Sequence, residues 1–399
     1  MKNVWIVAPF ANIDDVGDAN RFQYLANRLH EEGANVTLFT SNFAHMEKEH
    51  INEDIAEAYP YQVICVKEPG YQKNVSMKRA WSHTSFSRQL KKVMSSMDKP
   101  DVVYAAYPTM TAAYAAGKYA KKHHLPFIID IQDTWPESIS SAINTERFYI
   151  KLLMWPFSKF ADHIYRMADV VFAVSETYAQ RANVKGTKCI DFIPVYIGAE
   201  AERFEQPDEE PVVKRDDEIW ITYIGTLSHS YDMETAIKTF ASMKEHRSIK
   251  LNILGSGPDE EKLIQLAKKL DAFDVNVHFY GYIPYEKMAA ILKKSDIALN
   301  AIKGSAKQTV TNKLGDYLSA GLPILNSCQE KEIMGLVQEK ELGLNYIPGD
   351  PEVLRERLLQ MIEDRDKLLQ YSHNSLVFAK ERFNRKESYS SIVEKIHVI

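Results

Sequence analysis

Three side chains in the stretch "QTVTNKLGDYLSAGLPIL", residues 308–325, have the types and spacing to hold a charged, hydroxylated ligand: Gln308, Lys313 and Asp316. Thr311 or Asn312 can cap a helix there, with Gly321 past its end and Pro323 stopping its continuation. A helix N-terminus offers free N–H groups and a positive dipole end, which suits phosphate. Lys313 in the first turn opposes that dipole unless an anion sits beside it. Asp316, one turn further in, suits a vicinal diol, and Gln308 can reach a sugar hydroxyl. On spacing alone, a capped surface helix with a solvated Lys/Asp face competes with this reading.

Other turns in the same half carry related chemistry. "YIGTLSHSYD" (223–232) ends a strand at Gly225 and Thr226, with His229 following. "ILGSGPDEEKL" (253–263) places Gly255 and Gly257 in a turn and Pro258 at the expected first helical position. "FYGYIPYEKM" (279–288) supplies Tyr282, Ile283 and Tyr285 near a base or ring, and Lys303 follows the strand-like "DIALNAI". The first strand, by contrast, leads into "APFANIDDVGDANR" with one glycine, Gly17, which disfavours a dinucleotide fingerprint.

The elements that must position these groups are legible as apolar, β-rich runs, each followed by a helix-period segment. "NVWIVAPF", "NVTLFT", "YQVICV", "DVVYAA", "FIIDI" and "VVFAVS" recur in the first half. "IWITYIG", "KLNILG", "VNVHFYG", "DIALNAI" and "PILN" recur in the second. Continuous apolar strands alternating with helices predict parallel sheets covered on both faces, wound with right-handed crossovers. The expected fold class is α/β with two Rossmann-like, doubly wound domains facing a central cleft. Ligands in such domains sit beyond the carboxyl ends of the strands. The expected division is an acceptor-binding domain over 1–198, a donor-binding domain over 199–380 and a last helix over 381–399 packing back on the first domain. The charged, proline-containing stretch 199–218 reads as the linker.

Composition sets the outer bounds. The chain has 399 residues, 45% hydrophobic and 26% charged, with a net charge of -5, which argues against nucleic-acid binding by bulk electrostatics. Three separated cysteines, Cys65, Cys189 and Cys328, read as reduced thiols of a cytoplasmic protein. No stretch approaches the roughly 18 apolar residues of a membrane span.

From Tyr223 to Ile347 the chain resembles the donor-binding half of retaining glycosyltransferases of family 4, which have the GT-B fold. Their signature is a pair of glutamates with seven residues between, and Gln308 and Asp316 fall on those positions. "DYLSAGLPIL" is similar to the tail of that signature, and "GSGPDEEKL" and "GYIPYEKMAAILKKSDIALNAI" to other family segments. In the first half, "FIIDIQDTWPES" resembles a strand ending in a histidine–aspartate pair, with Gln132 and Asp133 on those positions. "FAVSETYAQR" and "PVYIGAEAERF" resemble the segments before the hinge. The chain departs from the pattern at Gln308, Asp316 and Gln132, and at Thr226 and His229, which stand where an arginine and a lysine commonly hold the diphosphate. A capsule and exopolysaccharide branch looks similar at "GTLSHSYD" and "NKLGDY".

The resemblance implies a retaining transferase with no cofactor beyond its substrate, a nucleotide-sugar donor, UDP-linked first; no Asp-x-Asp pair stands at a strand end, so the diphosphate is expected to be neutralised without metal. The base would lie by Tyr282–Ile283, the ribose on Asp316, and the diphosphate on the 311–313 helix start with Lys313, Lys303 and Gly225–Thr226. Asp15, Asp18, Gln132 and Asp133 would face a glycan or lipid-linked acceptor. Two alternatives stand beside it: a nucleotide-sugar 2-epimerase of similar fold, and a non-catalytic partner subunit. Residues 71–92 hold six Lys/Arg, and no Asp or Glu occurs between Glu68 and Asp98. That stretch, with the aromatic segment 147–167, could meet anionic lipid at the inner membrane face.

Overall fold

A computed structural model describes residues 1–13, 20–74, 76–138, 148–205, 212–246, 248–304 and 310–399, the side chains of 148, 149 and 151 excepted. The chain divides into two units, residues 1–195 with 389–399, and residues 196–388.

In the first unit the elements run β1 (Asn3–Val7), α1 (Arg21–Glu31), β2 (Asn35–Ser41), a small hairpin β3 (Phe43–Ala44) and β4 (Glu49–His50), and β5 (Gln62–Val66). They continue α2 (Met77–Ser95), β6 (Val102–Tyr107), α3 (Met110–His123), β7 (Phe127–Ile131), α4 (Phe148–Tyr165), β8 (Val170–Ala173), α5 (Glu176–Arg181) and β9 (Asp191–Pro194). Seven strands form a parallel sheet in the order β5-β2-β1-β6-β7-β8-β9. The strands are apolar on both faces because both are covered. Phe86, Leu90 and Met94 of α2 share one core with α3 and with Ala161, Ile164 and Tyr165 of α4. On the other face, Phe22, Leu25 and Leu29 of α1 pack with Tyr389, Ile392, Val393 and Ile396 from the end of the chain. Asn20 starts α1 by accepting the Phe22 N–H at 2.9 Å, a cap worth about 1 kcal/mol.

The second unit holds α6 (Ala201–Glu205), β10 (Ile219–Ile224), α7 (Met233–Ser242), β11 (Ile249–Leu254), α8 (Glu260–Lys269), β12 (Val277–Gly281), α9 (Tyr285–Lys294) and β13 (Ile297–Asn300). It continues α10 (Asn312–Ser319), β14 (Ile324–Asn326), α11 (Lys331–Glu339), β15 (Gly343–Asn345), α12 (Pro351–Glu363), α13 (Arg365–Phe378) and the start of α14 (Arg385–Val398). Its parallel sheet has the order β12-β11-β10-β13-β14-β15. Strand order therefore reverses between β10 and β13, and between β1 and β6 in the first unit. A crevice opens beyond the strand ends at such a switch.

Two parallel, Rossmann-like α/β halves are therefore present as expected. Several local readings need correction. Residues 201–205, inside the expected linker, form the short helix α6. Pro258 is not the first helical residue, because α8 starts at Glu260 with Asp259 at its N-cap. The three cysteines are free thiols. Among the described residues, no helix is long and apolar enough to cross a membrane.

Candidate functional site

The second unit brings its singled-out residues to the carboxyl ends of four strands. Gly225 and Thr226 follow β10, Gly255 and Gly257 follow β11, Tyr282 and Ile283 follow β12, and Lys303 follows β13. Thr311 is the N-cap of α10 in extended conformation (φ -94°, ψ 159°), but its side chain makes no capping hydrogen bond. Asn312, the first helical residue, is exposed, as are Thr226 and His229. Tyr282 is 84% exposed, and Ile283 is half-buried beside it. Gln308, Asp15 and Asp18 lie outside the described residues.

The glycines answer to a close approach between turns. Gly255 has φ +137°, and a Cβ there would stand 2.0 Å from the Gly225 carbonyl oxygen. At Gly257 a Cβ would stand 2.3 Å from the Leu227 oxygen. Backbone bonds tie the turns together, Leu227 N–H to Ser256 O at 2.9 Å and Asp259 N–H to Leu227 O at 3.0 Å. What these missing side chains make room for is protein backbone, which fixes the shape of the Gly225–Leu227 turn.

Lys313 projects from α10 under that turn. Its Nζ donates to the Tyr223 hydroxyl at 3.3 Å and lies 4.5 Å from the Tyr223 ring centroid and 3.8 Å from that of Tyr231. The position of a Cβ on Gly225 would be 3.4 Å from Nζ. Tyr223 in turn donates to Thr226 O at 2.8 Å. Tyr231 is held in place where residues 228–232 pair with 301–303, through Tyr231 with Ile302 and the Lys303 N–H bond to Ser230 O at 3.0 Å. Burial pulls the Lys313 ammonium down from 10.5 to about 7. Among the described residues no carboxylate offsets that cost, and two aromatic faces do so in part. The sequence reading missed Tyr223 and Tyr231. The signal available was two tyrosines flanking a Gly-Thr turn at a strand end.

Asp316 faces another side of α10. Its Oδ1 accepts the Tyr285 hydroxyl at 2.6 Å, and Arg203 lies over the Tyr285 ring at 5.0 Å. Arg203 pairs with Glu200 and Glu286, and Glu200 with Arg385. Burial raises the Asp316 carboxyl to about 6, opposed by the Tyr285 hydrogen bond and the Arg385 charge. Lys303 is half-buried and helps, behind Lys262, to lower the Glu234 carboxyl. Asn312 and Lys313 thus share a helix start with the Gly225 turn, while Asp316 points toward Tyr285.

In the first unit, Gln132 and Asp133 are half-buried just past β7. Burial raises the Asp133 carboxyl, against hydrogen bonds from Ser138 and the Thr134 backbone and the charge of Arg79. Among the described residues, no three His, Cys, Asp or Glu side chains gather as a metal site.

Comparison with known proteins matches both halves. The family model described as Glycosyltransferase Family 4 matches residues 17–194, and that described as Glycosyl transferases group 1 matches residues 205–376. An uncharacterized glycosyltransferase of Methanocaldococcus jannaschii is 26% identical over 241 residues, or 58% of this chain. The chain spans 60% of the length of that curated relative. Among solved structures, Anabaena HepE in complex with UDP has a TM-score of 0.71 at 14% identity over 100% of both chains, and HepE was also solved with UDP-glucose. A sucrose-phosphate synthase from Thermosynechococcus elongatus has a TM-score of 0.69 at 14% identity, over 100% of this chain and 98% of that one. At such identity these likenesses speak for the fold. With both halves matched in chain order, this protein belongs to the GT-B glycosyltransferases of the group 1 and family 4 kind.

Proposed function

We propose that the chain transfers a sugar from a nucleotide-sugar, UDP-linked first, to a hydroxyl of a glycan or lipid-linked acceptor, with retention at the anomeric carbon. The observation that carries this is Lys313 Nζ held against the Gly225 turn at the β10/β13 switch point, beside the start of α10. The diphosphate lies on the Gly225–Thr226 turn and the 311–313 backbone, with Lys313, Lys303 and His229 as its cations or donors. The base rests by Tyr282–Ile283, Asp316 takes the ribose diol and Gln308 a sugar hydroxyl. Gln132, Asp133, Asp15 and Asp18 belong to the acceptor side. The UDP and UDP-glucose complexes of the Anabaena protein support a UDP-linked donor.

Catalysis is then positioning plus stabilisation of the departing diphosphate. A helix start supplies about half a positive charge and a lysine a whole one, so Lys313 carries the larger share and no divalent metal is needed. The leaving phosphate takes the acceptor proton. The outer side of α2 exposes Lys78, Trp81, Arg88, Lys91 and Lys92, and α4 exposes Leu152, Leu153, Trp155 and Phe157. These surfaces support work at a membrane, on a lipid-linked glycan of capsule or exopolysaccharide synthesis.

Calorimetric titration with UDP-, GDP- and dTDP-sugars, in EDTA and then with manganese, tests the donor reading. Submicromolar to submillimolar binding of one nucleotide class, unchanged by EDTA, is expected. Free nucleotide released without acceptor would favour the 2-epimerase, and donor binding without turnover on any acceptor a non-catalytic subunit. Activity lost in EDTA and restored by manganese would assign the charge to a metal.

A further inference from the structure

The first unit gathers cations around one tyrosine at the carboxyl edge of its sheet. Lys48 Nζ lies 5.3 Å and the Arg79 guanidinium 5.5 Å from the Tyr71 ring centroid, and the His45 and His83 rings stand 5.7 Å from it. Phe10 closes a side, 4.9 Å from His45 and 5.7 Å from His83, and Trp135 lies 5.8 Å from Arg79. These residues come from segments after β1, β2, β5 and β7 and from the first turns of α2. None of this follows from helix period or strand alternation.

The charges of the described residues do not balance. Among the described residues, neither Lys48 nor Arg79 forms a salt bridge. His83 Nε2 and Arg79 Nε are enclosed yet make no hydrogen bond. The nearest acids among the described residues are otherwise engaged or exposed. Glu68 accepts from the hydroxyls of Ser41 and Ser82, Glu47 is exposed, and Asp133 is bound to Ser138 and Thr134. His45 Nδ1 meets the Tyr71 hydroxyl at 2.5 Å, and Arg79 Nη1 donates to Asn74 O at 2.7 Å. Enclosed donors without acceptors cost free energy unless something supplies the acceptors.

We propose that this cluster of Phe10, His45, Lys48, Tyr71, Arg79 and His83 binds a phosphoryl group of the acceptor substrate. It rests on the reading of the first unit as the acceptor side. A phosphoryl group offers several acceptor oxygens in a tetrahedron, which matches donors arriving from separate chain segments better than a flat carboxylate does. Burial and the neighbouring cations push both histidines down to about 4. They therefore bind as neutral N–H donors at neutral pH, with Arg79 and Lys48 supplying the charge. Free phosphate esters and lipid headgroups share this chemistry.

The test is NMR of the His45 and His83 ring protons, assigned with His45→Gln and His83→Gln, during titration with inorganic phosphate, methyl phosphate or phosphatidylglycerol vesicles. Saturable movement of both signals by a phosphate species is expected, weakened about tenfold or more in Arg79→Gln. The exposed-side variant Lys48→Gln should weaken it several-fold and, with its side chain at the rim, keeps the test usable if Arg79→Gln fails to fold. Response to vesicles alone assigns the group to a lipid headgroup, and response to free phosphate assigns a soluble or exposed phosphoryl group. Equal movement by acetate at matched ionic strength, no movement by any phosphate species, or phosphate affinity unchanged in both variants overturns the site. Because these signals report on the first unit alone, a protein that passes here and binds no nucleotide-sugar loses the transferase reading and keeps the site.

Discussion

The Lys313 ammonium sits 3.8 Å from the centroid of the Tyr231 ring and, among the described residues, has no carboxylate for a partner. Two tyrosine faces and a hydroxyl stabilise a charge that burial opposes, so protonation here is finely balanced. A diphosphate bound on the proposed donor site would tip that balance toward the charged form.

That balance makes proton uptake a signature of donor binding. With the group lowered to about 7 by burial, much of it is neutral at pH 8, and UDP binding there should take up a fraction of a proton. Calorimetry in buffers of different ionisation enthalpy reads this directly, and Lys313→Met should abolish it. Turnover should fall more than donor affinity, since the charge matters most as the diphosphate departs. Stability follows the same group. Between about 7 and its ordinary 10.5 the unfolded chain binds the proton and the folded chain does not. The parent should therefore gain stability relative to Lys313→Met as pH rises through that window. A parent and variant with parallel curves would deny the lowered value.

Asp316 has the opposite sign. Its folded value of about 6 lies above the ordinary 3.8, so the folded state holds the extra proton between them and this group's contribution falls as pH rises from about 4 to 6. Tyr285→Phe removes the hydrogen bond that favours the carboxylate and should raise the value further, visible by carboxyl NMR. If the ionised carboxylate grips the ribose diol, Asp316→Ala should weaken donor binding by about 1.5–3 kcal/mol, roughly 10- to 150-fold. Unchanged affinity in a folded variant removes Asp316 from the donor site.

The sheets were legible because strands buried on both faces are apolar without interruption, as at Val102–Tyr107 and Phe127–Ile131. β9 and β15 escaped notice for the converse reason. Both are short edge strands; β9 is half-buried throughout and opens on Asp191, and β15 has two of its three residues half-buried. The α10 helix was legible from its glycine and proline punctuation. Its partners were not, because Tyr223 is 90 positions from Lys313 and Tyr285 is 31 from Asp316, distances at which neither period nor motif constrains a contact. The Tyr71 cluster shows the same limit: residues 71–92 read as a basic surface, but Tyr71 is buried and Arg79 turns inward onto its ring.

A buried ion pair organises the first unit. Arg21 Nε meets Asp130 Oδ2 at 2.7 Å with both side chains almost fully enclosed. The Tyr104 hydroxyl donates to the same oxygen at 2.5 Å, Arg21 Nη1 donates to Val195 O at 3.0 Å, and the guanidinium lies 4.7 Å from the Tyr389 ring centroid. Removing one partner leaves the other charged and buried, so Arg21→Met or Asp130→Leu should each cost about 3–5 kcal/mol in urea unfolding. The double variant should cost less than the sum. Strict additivity would mean that the two side chains act independently.

Membrane association should separate into two parts. The sequence alone would assign Arg79 to a lipid-facing surface; its place against Tyr71 removes it from that set and leaves Lys78, Arg88, Lys91 and Lys92 on the exposed side of α2. Each basic residue near an anionic surface contributes about 1 kcal/mol, screened within a Debye length. Replacing those four by Gln should remove the salt-sensitive part of the binding to anionic vesicles and leave the part that persists in high salt. The exposed Leu152, Leu153, Trp155 and Phe157 of α4 act through apolar burial instead, at about 25 cal/mol per Å², which salt does not screen. A Leu153→Ser/Trp155→Ser variant should lose the binding that persists in high salt and keep the salt-sensitive part. Vesicle binding equal in the parent and both variants, or absent in all three, rules out this surface and leaves a lipid-linked acceptor to reach the site from solution.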